Sequence, residues 1–108
     1  NFLILGTRVG EGFGSSPGHI RAYDTVTGEF RWIFHTIPEK GEFGHDTWDW
    51  VEGETYGGAN PWGGLTVDEE RGWVFAATGS PTYDFYGANR KGQNLFGNCV
   101  LALNRSDR

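Results

Sequence analysis

The chain has 108 residues, a formal net charge of −5, 18 glycines, 16% aromatic residues and one cysteine. That size holds one domain at most, and the acidity argues against nucleic acid, which needs basic patches, and against an anionic membrane surface. A lone Cys99 excludes an internal disulfide and reads as a small buried hydrophobe; no run of about 18 apolar residues exists to span a bilayer.

Glycine, aromatic, Thr and Val content, without a helix-periodic apolar stretch, predicts an all-β, loop-rich chain. Phe2 to Leu5 is a first short strand. Arg8 to Pro17 (RVGEGFGSSP) is a loop by its repeated Gly, paired Ser and Pro, and it sets one carboxylate, Glu11, between two glycines. Glu11 is either a solvated loop acid or a site residue, because glycine lets backbone approach a ligand closely.

Gly18 to Trp32 (GHIRAYDTVTGEFRW) reads as a hairpin. Asp24-Thr25-Val26-Thr27-Gly28 supplies the turn, and period-2 alternation puts Phe30, Trp32 and Phe34 on one face. Such a ribbon needs a second sheet to cover it. His35 to Pro61 is a long irregular region, too aromatic at Phe43, Trp48, Trp50 and Tyr56 to stay in water, so it is expected to be a packed excursion. His45 and Asp46 invite a catalytic reading, but adjacent residues seldom converge on one atom and no second close His or Cys completes a metal set.

Trp62 to Thr78 is the second hairpin. Its turn, Asp68 to Gly72, is a solvated tip, and Trp73 to Ala77 is apolar throughout, as in a strand buried on both faces. Gly79 to Gly97 is a further loop rich in Asn, Gly and aromatics. Asn98 to Asn104 is the last strand, in which Ala102-Leu103-Asn104 repeats Ala22-Tyr23-Asp24. Trp48, Trp50 and Trp73 read as packing. Trp62, between Pro61 and two glycines, is out of place in a core strand.

Ala22, Asp24, Thr27, Gly28 and Trp32 together resemble the blade-docking motif of the pyrroloquinoline quinone (PQQ) dependent dehydrogenases, where the Trp packs on a neighbouring blade. The resemblance extends from about Phe2 to Asn104 through VGEG, IFHTIPEKGEFGHDTW, GANPWGGLTVDEERG and ATGSPTYDFYGANRKGQNLFGN, most closely to the glucose-dehydrogenase-like branch. It implies part of an eight-bladed β-propeller with four-stranded antiparallel blades. A blade takes roughly 40–50 residues, so residues 1–108 would form about two blades with long loops at 35–61 and 79–97. The chain opens on Asn1, contains no Met, and stops at Arg108 where a second docking motif would continue, so a piece of a larger protein is expected.

By resemblance, Gly10, Asn60 and Trp62 would contact the quinone, Trp62 by stacking, and Glu11 and Ser80 would bind Ca²⁺. Ser80 replaces an amide ligand of the family by a hydroxyl; water, a backbone carbonyl, Asn89 or Asp84 are the alternatives. No residue here matches the family's catalytic base, so the chain alone is expected to be inactive. The implied parent oxidises an alcohol or aldose sugar in the periplasm or outside the cell and passes electrons to a quinone or cytochrome. Alternatives are a non-enzymatic propeller scaffold and a carbohydrate-binding β domain.

Overall fold

Matching turns at Asp24 and Asp68 shape the two hairpins. In the computed structural model, which describes residues 1–106, β1 (Phe2–Leu5), β2 (Ile20–Asp24) and β3 (Phe30–Phe34) form one antiparallel sheet in that order. Asp24 Oδ1 accepts the N–H of Val26 at 2.8 Å and of Thr27 at 3.0 Å, and Gly28 closes the turn at φ 74°. The N–H groups of Thr27 and Val26 hold the Asp24 carboxyl below its ordinary range, since they favour the charged form.

The second sheet is β4 (Leu65–Asp68), β5 (Trp73–Ala77) and β6 (Val100–Asn104), again antiparallel and in sequence order. Here Asp68 Oδ1 accepts the N–H of Arg71 at 3.1 Å and Gly72 takes φ 72°. Asn104 Oδ1 accepts the N–H of Ser106 at 2.9 Å, the same two-residue reach as Asp24 to Val26. The repeat seen in sequence is therefore also a repeat of turn chemistry. Aligned on it, β5 and β6 occupy the places of β1 and β2, leaving β4 and β3 unmatched. The two three-stranded sheets together sample all four positions of one four-stranded unit. Asp107 and Arg108, at the expected second docking motif, lie outside the described residues.

The sheets meet face to face. Ile20, Ala22 and Trp32 of the first pack with Val74, Ala76, Leu101 and Leu103 of the second, and Ile4, Phe34, Leu65, Phe96 and Cys99 close the edges. Trp32 is 7% exposed, and its Nε1–H donates to the Arg105 carbonyl at 2.8 Å, so its ring fills the interface while its polar atom ties β3 to the end of β6. Cys99 is partly buried, and that burial pushes its thiol pKa up.

Two expectations fail for identifiable reasons. Phe30 does not share the face of Trp32: the register jumps between Ala22↔Trp32 and Tyr23↔Phe30, a bulge that passes over Arg31 and resets the alternation. Phe30 instead lies edge-on to Tyr23 at 6.0 Å on the outer face. The β5 strand is buried on one face only, at Val74 and Ala76, while Trp73 and Phe75 are exposed because the chain places a sheet on one side of it alone.

The excursion at 35–61 packs around Ile37, Trp48, Tyr56 and Ala59, but Phe43, expected to be covered with them, is 83% exposed and lies beside the Phe96 ring. Its one helical turn is a 3₁₀ segment, His45–Thr47. The 79–97 loop lies against it: Trp48 Nε1 donates to the Leu95 carbonyl at 2.7 Å, and the Phe96 N–H donates to the Thr36 carbonyl at 2.8 Å. His19, opening β2, accepts the Thr36 N–H at Nδ1 (3.1 Å) and meets the His35 ring edge-on at 4.7 Å. Burial first, then the His35 and Arg21 charges, lower the His19 pKa to about 4.

Two measurements check this frame. Trp32→Phe removes the cross-sheet hydrogen bond and should cost about 1 kcal/mol in urea unfolding, whereas Trp32→Ala should cost about 3–5 kcal/mol. A Trp32→Ala protein as stable as the parent would contradict the docking role. Because His19 is neutral in the fold and protonates near pH 6.5 when unfolded, its stabilisation is complete above pH 6.5 and is lost as pH falls toward 4. After discounting for solvent at this half-exposed site, the loss is on the order of 1 kcal/mol. Thermal melts at pH 7, 5.5 and 4 should show a shallower pH slope for His19→Gln, whose amide oxygen can still accept the Thr36 N–H; equal slopes would contradict the assignment.

Candidate cofactor site

The site is built on a short extended segment, residues 57–60, threaded between two loops. Gly58 donates to the Ser16 carbonyl at 3.0 Å and accepts from the Gly18 N–H at 2.7 Å. On the other side, Ala59 donates to Ser80 and Thr82 donates to Gly57, both at 3.0 Å. These contacts make Gly58 a bridge partner of Pro17 in parallel and of Pro81 in antiparallel sense. Glycine is required for so close an approach: a Cβ on Gly18 would overlap Asn60, and one on Gly57 would overlap the Ser15 carbonyl.

This threading delivers Asn60, Pro61 and Trp62 to the end of β1. Asn60 Nδ2 donates to the Thr7 carbonyl at 2.9 Å, and the Gly79 N–H donates to the Asn60 carbonyl at 3.0 Å. The result is a cleft of about 660 Å³ between the loop after β1, the segment before β4 and the loop after β5. Gly10, Glu11, Asn60 and Trp62 all line it. Trp62 is 80% exposed, with its indole Nε1 edge so near Gly79 that a Cβ there would stand 3.0 Å away. A large planar surface is thus set with one edge against Gly79 and left bare toward the cleft.

Ser80 is separate. Its Oγ donates to the Pro81 carbonyl at 3.0 Å and it does not line the cleft, whereas Asp84 of the same loop does. Arg8 and Thr82, which sequence reading passes over, are also in the lining. The signal for Arg8 was its position two residues before Gly10-Glu11; nothing local marked Thr82. Asn89, the other alternative donor, is not in the lining, and its side-chain oxygen is buried without a hydrogen-bond partner.

His45 and Asp46 lie apart from this cleft. The His45 ring stacks on Trp50 at 4.5 Å and 14°, and both face a different, shallower hollow of about 550 Å³ with Tyr56 and Glu54. Trp50 is 40% exposed and stacks in turn on Trp48, so it packs within an aromatic cluster, as does Trp48.

The donor chemistry of the larger cleft fits a flat polyanion together with a hard cation. An indole face offers stacking area, the Arg8 guanidinium offers charge for carboxylates, and Glu11 and Asp84 offer hard oxygens. No helix among the described residues is long and apolar enough to cross a membrane.

Comparison with known proteins identifies the family. The profile of the PQQ family described as glucose/ethanol/alcohol dehydrogenase, beta-propeller domain, matches residues 1–107. The chain is 28% identical over 120 residues to lupanine 17-hydroxylase [cytochrome c] of a Pseudomonas species, covering 96% of this chain and 16% of the relative. It is 30% identical over 106 residues to quinate/shikimate dehydrogenase (quinone) of Acinetobacter baylyi, covering 94% and 12%. It is 31% identical over 117 residues to quinohemoprotein alcohol dehydrogenase of Comamonas testosteroni, covering 94% and 16%. The solved structure of quinohemoprotein alcohol dehydrogenase ADHIIG from Pseudomonas putida superposes with a TM-score of 0.79 at 28% identity, over 98% of this chain and 17% of that one. The chain thus spans less than a fifth of the length of these relatives. Its two sheets, its docking tryptophan and this match along almost its whole length make it part of a β-propeller, and the chain belongs to the PQQ-dependent dehydrogenase family.

Proposed function

We propose that this chain supplies one wall of the PQQ and Ca²⁺ site of an eight-bladed propeller dehydrogenase, periplasmic or secreted, that oxidises an alcohol or an aldose sugar and passes electrons to a quinone or a cytochrome. One observation carries the reading: Glu11 and Trp62, from opposite halves of the sequence, line the same cleft. A scaffold propeller has no need of that convergence.

The quinone, when bound, supplies the two-electron acceptor chemistry. The residues of this chain bind and orient. Trp62 offers one ring face to stack on, its Nε1 edge set beside Gly79. Arg8 balances carboxylate charge. Glu11 and Asp84 supply oxygen donors for the cation, and Asn60, tethered to Thr7, holds the floor of the cleft so that the donors stay aligned. The proton acceptor for the substrate hydroxyl is assigned to another part of the parent protein. The names of the relatives, which mention cytochrome c in one case and quinone in another, support the two acceptor classes considered.

The test uses the full-length protein that carries this chain, reconstituted with PQQ and Ca²⁺ and assayed by dye reduction with ethanol or glucose. Glu11→Gln should raise the Ca²⁺ concentration needed for half-maximal rate at least roughly tenfold, as a charged hard ligand is lost. Trp62→Ala should weaken PQQ uptake by roughly tenfold, the value of about 1–1.5 kcal/mol of stacking. Absence of quinone uptake at micromolar concentration, or variants that load like the parent, would remove the proposal.

A further inference from the structure

Three ligand-type side chains gather just after β3, outside the cleft described above. His35, Glu39 and Glu42 place their donor atoms within 4.8 Å of one another. The local cause is a tight turn. The Glu42 N–H donates to the Glu39 carbonyl at 3.0 Å, Gly41 takes φ 91°, and Glu42 Oε1 reaches back to accept the Glu39 N–H at 2.7 Å. Both carboxylates are thereby turned toward His35.

The hydrogen bonding decides what each atom can do. His35 Nδ1 lies 2.8 Å from Glu42 Oε1. A carboxylate only accepts, so Nδ1 carries the hydrogen, and in the neutral ring Nε2 keeps its lone pair. That Nε2 lies 3.6 Å from Glu39 Oε1, beyond a hydrogen bond. Two ligands bound at about 2.0–2.1 Å to one tetrahedral ion stand roughly 3.4 Å apart, close to the spacing found. A carboxylate on the far nitrogen of a ligating imidazole is also the usual means of fixing its tautomer and raising its basicity, and Glu42 already stands there.

We propose that His35 Nε2 and Glu39 Oε1 bind a divalent first-row ion of the Zn²⁺ class, with water completing its shell and Glu42 acting as the positioning residue for His35. A mixed nitrogen and oxygen pair suits a borderline ion, while Ca²⁺ takes oxygen alone. His19 is not a ligand: its Nδ1 takes the Thr36 N–H, and its ring packs edge-on against His35. The site is open to solvent on the Glu39 side, whose side chain is 70% exposed, and closed on the His35 side at 17%. An ion there would clip the end of β3 to the start of the 35–61 excursion.

Calorimetric titration of the full-length protein with Zn²⁺, in saturating Ca²⁺ so that oxygen-only sites are filled, tests this. One Zn²⁺ binding event should lose at least tenfold in affinity in both His35→Gln and Glu39→Gln, and 10- to 100-fold in Glu42→Gln. Cys99→Ser should leave it unchanged. Glu39→Gln alters an exposed side chain, so its effect stands even if His35→Gln folds poorly. No Zn²⁺ binding up to millimolar concentration, or binding indifferent to Glu39→Gln, would overturn the proposal.

Discussion

The structure depends on the burial of one side chain, Trp32, between two small sheets. Neither sheet could stand alone, for each offers only a few inward residues, and Ile20 and Ala22 on one side need Val74, Ala76, Leu101 and Leu103 on the other. The indole supplies area, and its Nε1–H bond to the Arg105 carbonyl fixes the relative position of the sheets. A bare hydrophobic contact would leave the sheets free to slide; a directional bond from a buried ring does not. The outer faces, with Phe30, Trp73, Phe75 and Val100 exposed, carry further apolar surface of the kind that stacked sheets cover in a propeller.

Docking alone makes no cleft. The cleft arises because the long excursion returns through the gap between two loops as a strand one residue wide at Gly58. That passage is possible only where side chains are missing, which explains the run Gly57-Gly58 and the glycine at 18. Backbone hydrogen bonds to Ser16, Gly18, Gly79, Ser80 and Thr82 tie the segment to the loops on either side, so loops of little regular structure become the floor of the cleft. On that floor Trp62 remains mostly exposed, its indole edge beside Gly79.

Much of this could be read before any coordinates, and the boundary of legibility is physical. The turns at Asp24–Gly28 and Asp68–Gly72 are plain because their chemistry is local: an acidic acceptor, a backbone N–H two or three residues on and a glycine at positive φ. The substitution of Asn104 for Asp24 in the repeat was also readable, since both side chains carry the oxygen that the turn uses. The face of Phe30 was not, because a bulge depends on how two strands pair and leaves no mark in one strand's alternation. Apolarity along Trp73–Ala77 showed that the strand could be covered on both faces, not what covers it. Within the cleft, family resemblance pointed to Gly10, Glu11, Asn60 and Trp62, and the threading at residues 57–60 brings them to one place. The same resemblance pointed to Ser80, whose hydroxyl turns to its neighbour's carbonyl, while Arg8 and Thr82 emerge only when separate loops are seen together.

Sheet docking and loop threading bring Glu11 and Trp62 to the same cleft, and the proposed function has them serve one cation and cofactor there. Terbium(III), a luminescent substitute for Ca²⁺, reads that proximity directly, since indole-sensitised emission requires a tryptophan beside the bound ion. In the full-length protein, emission on indole excitation should fall sharply in both Trp62→Phe and Glu11→Gln and persist in Trp73→Phe. Sensitised emission unchanged by Trp62→Phe and Glu11→Gln would contradict the account.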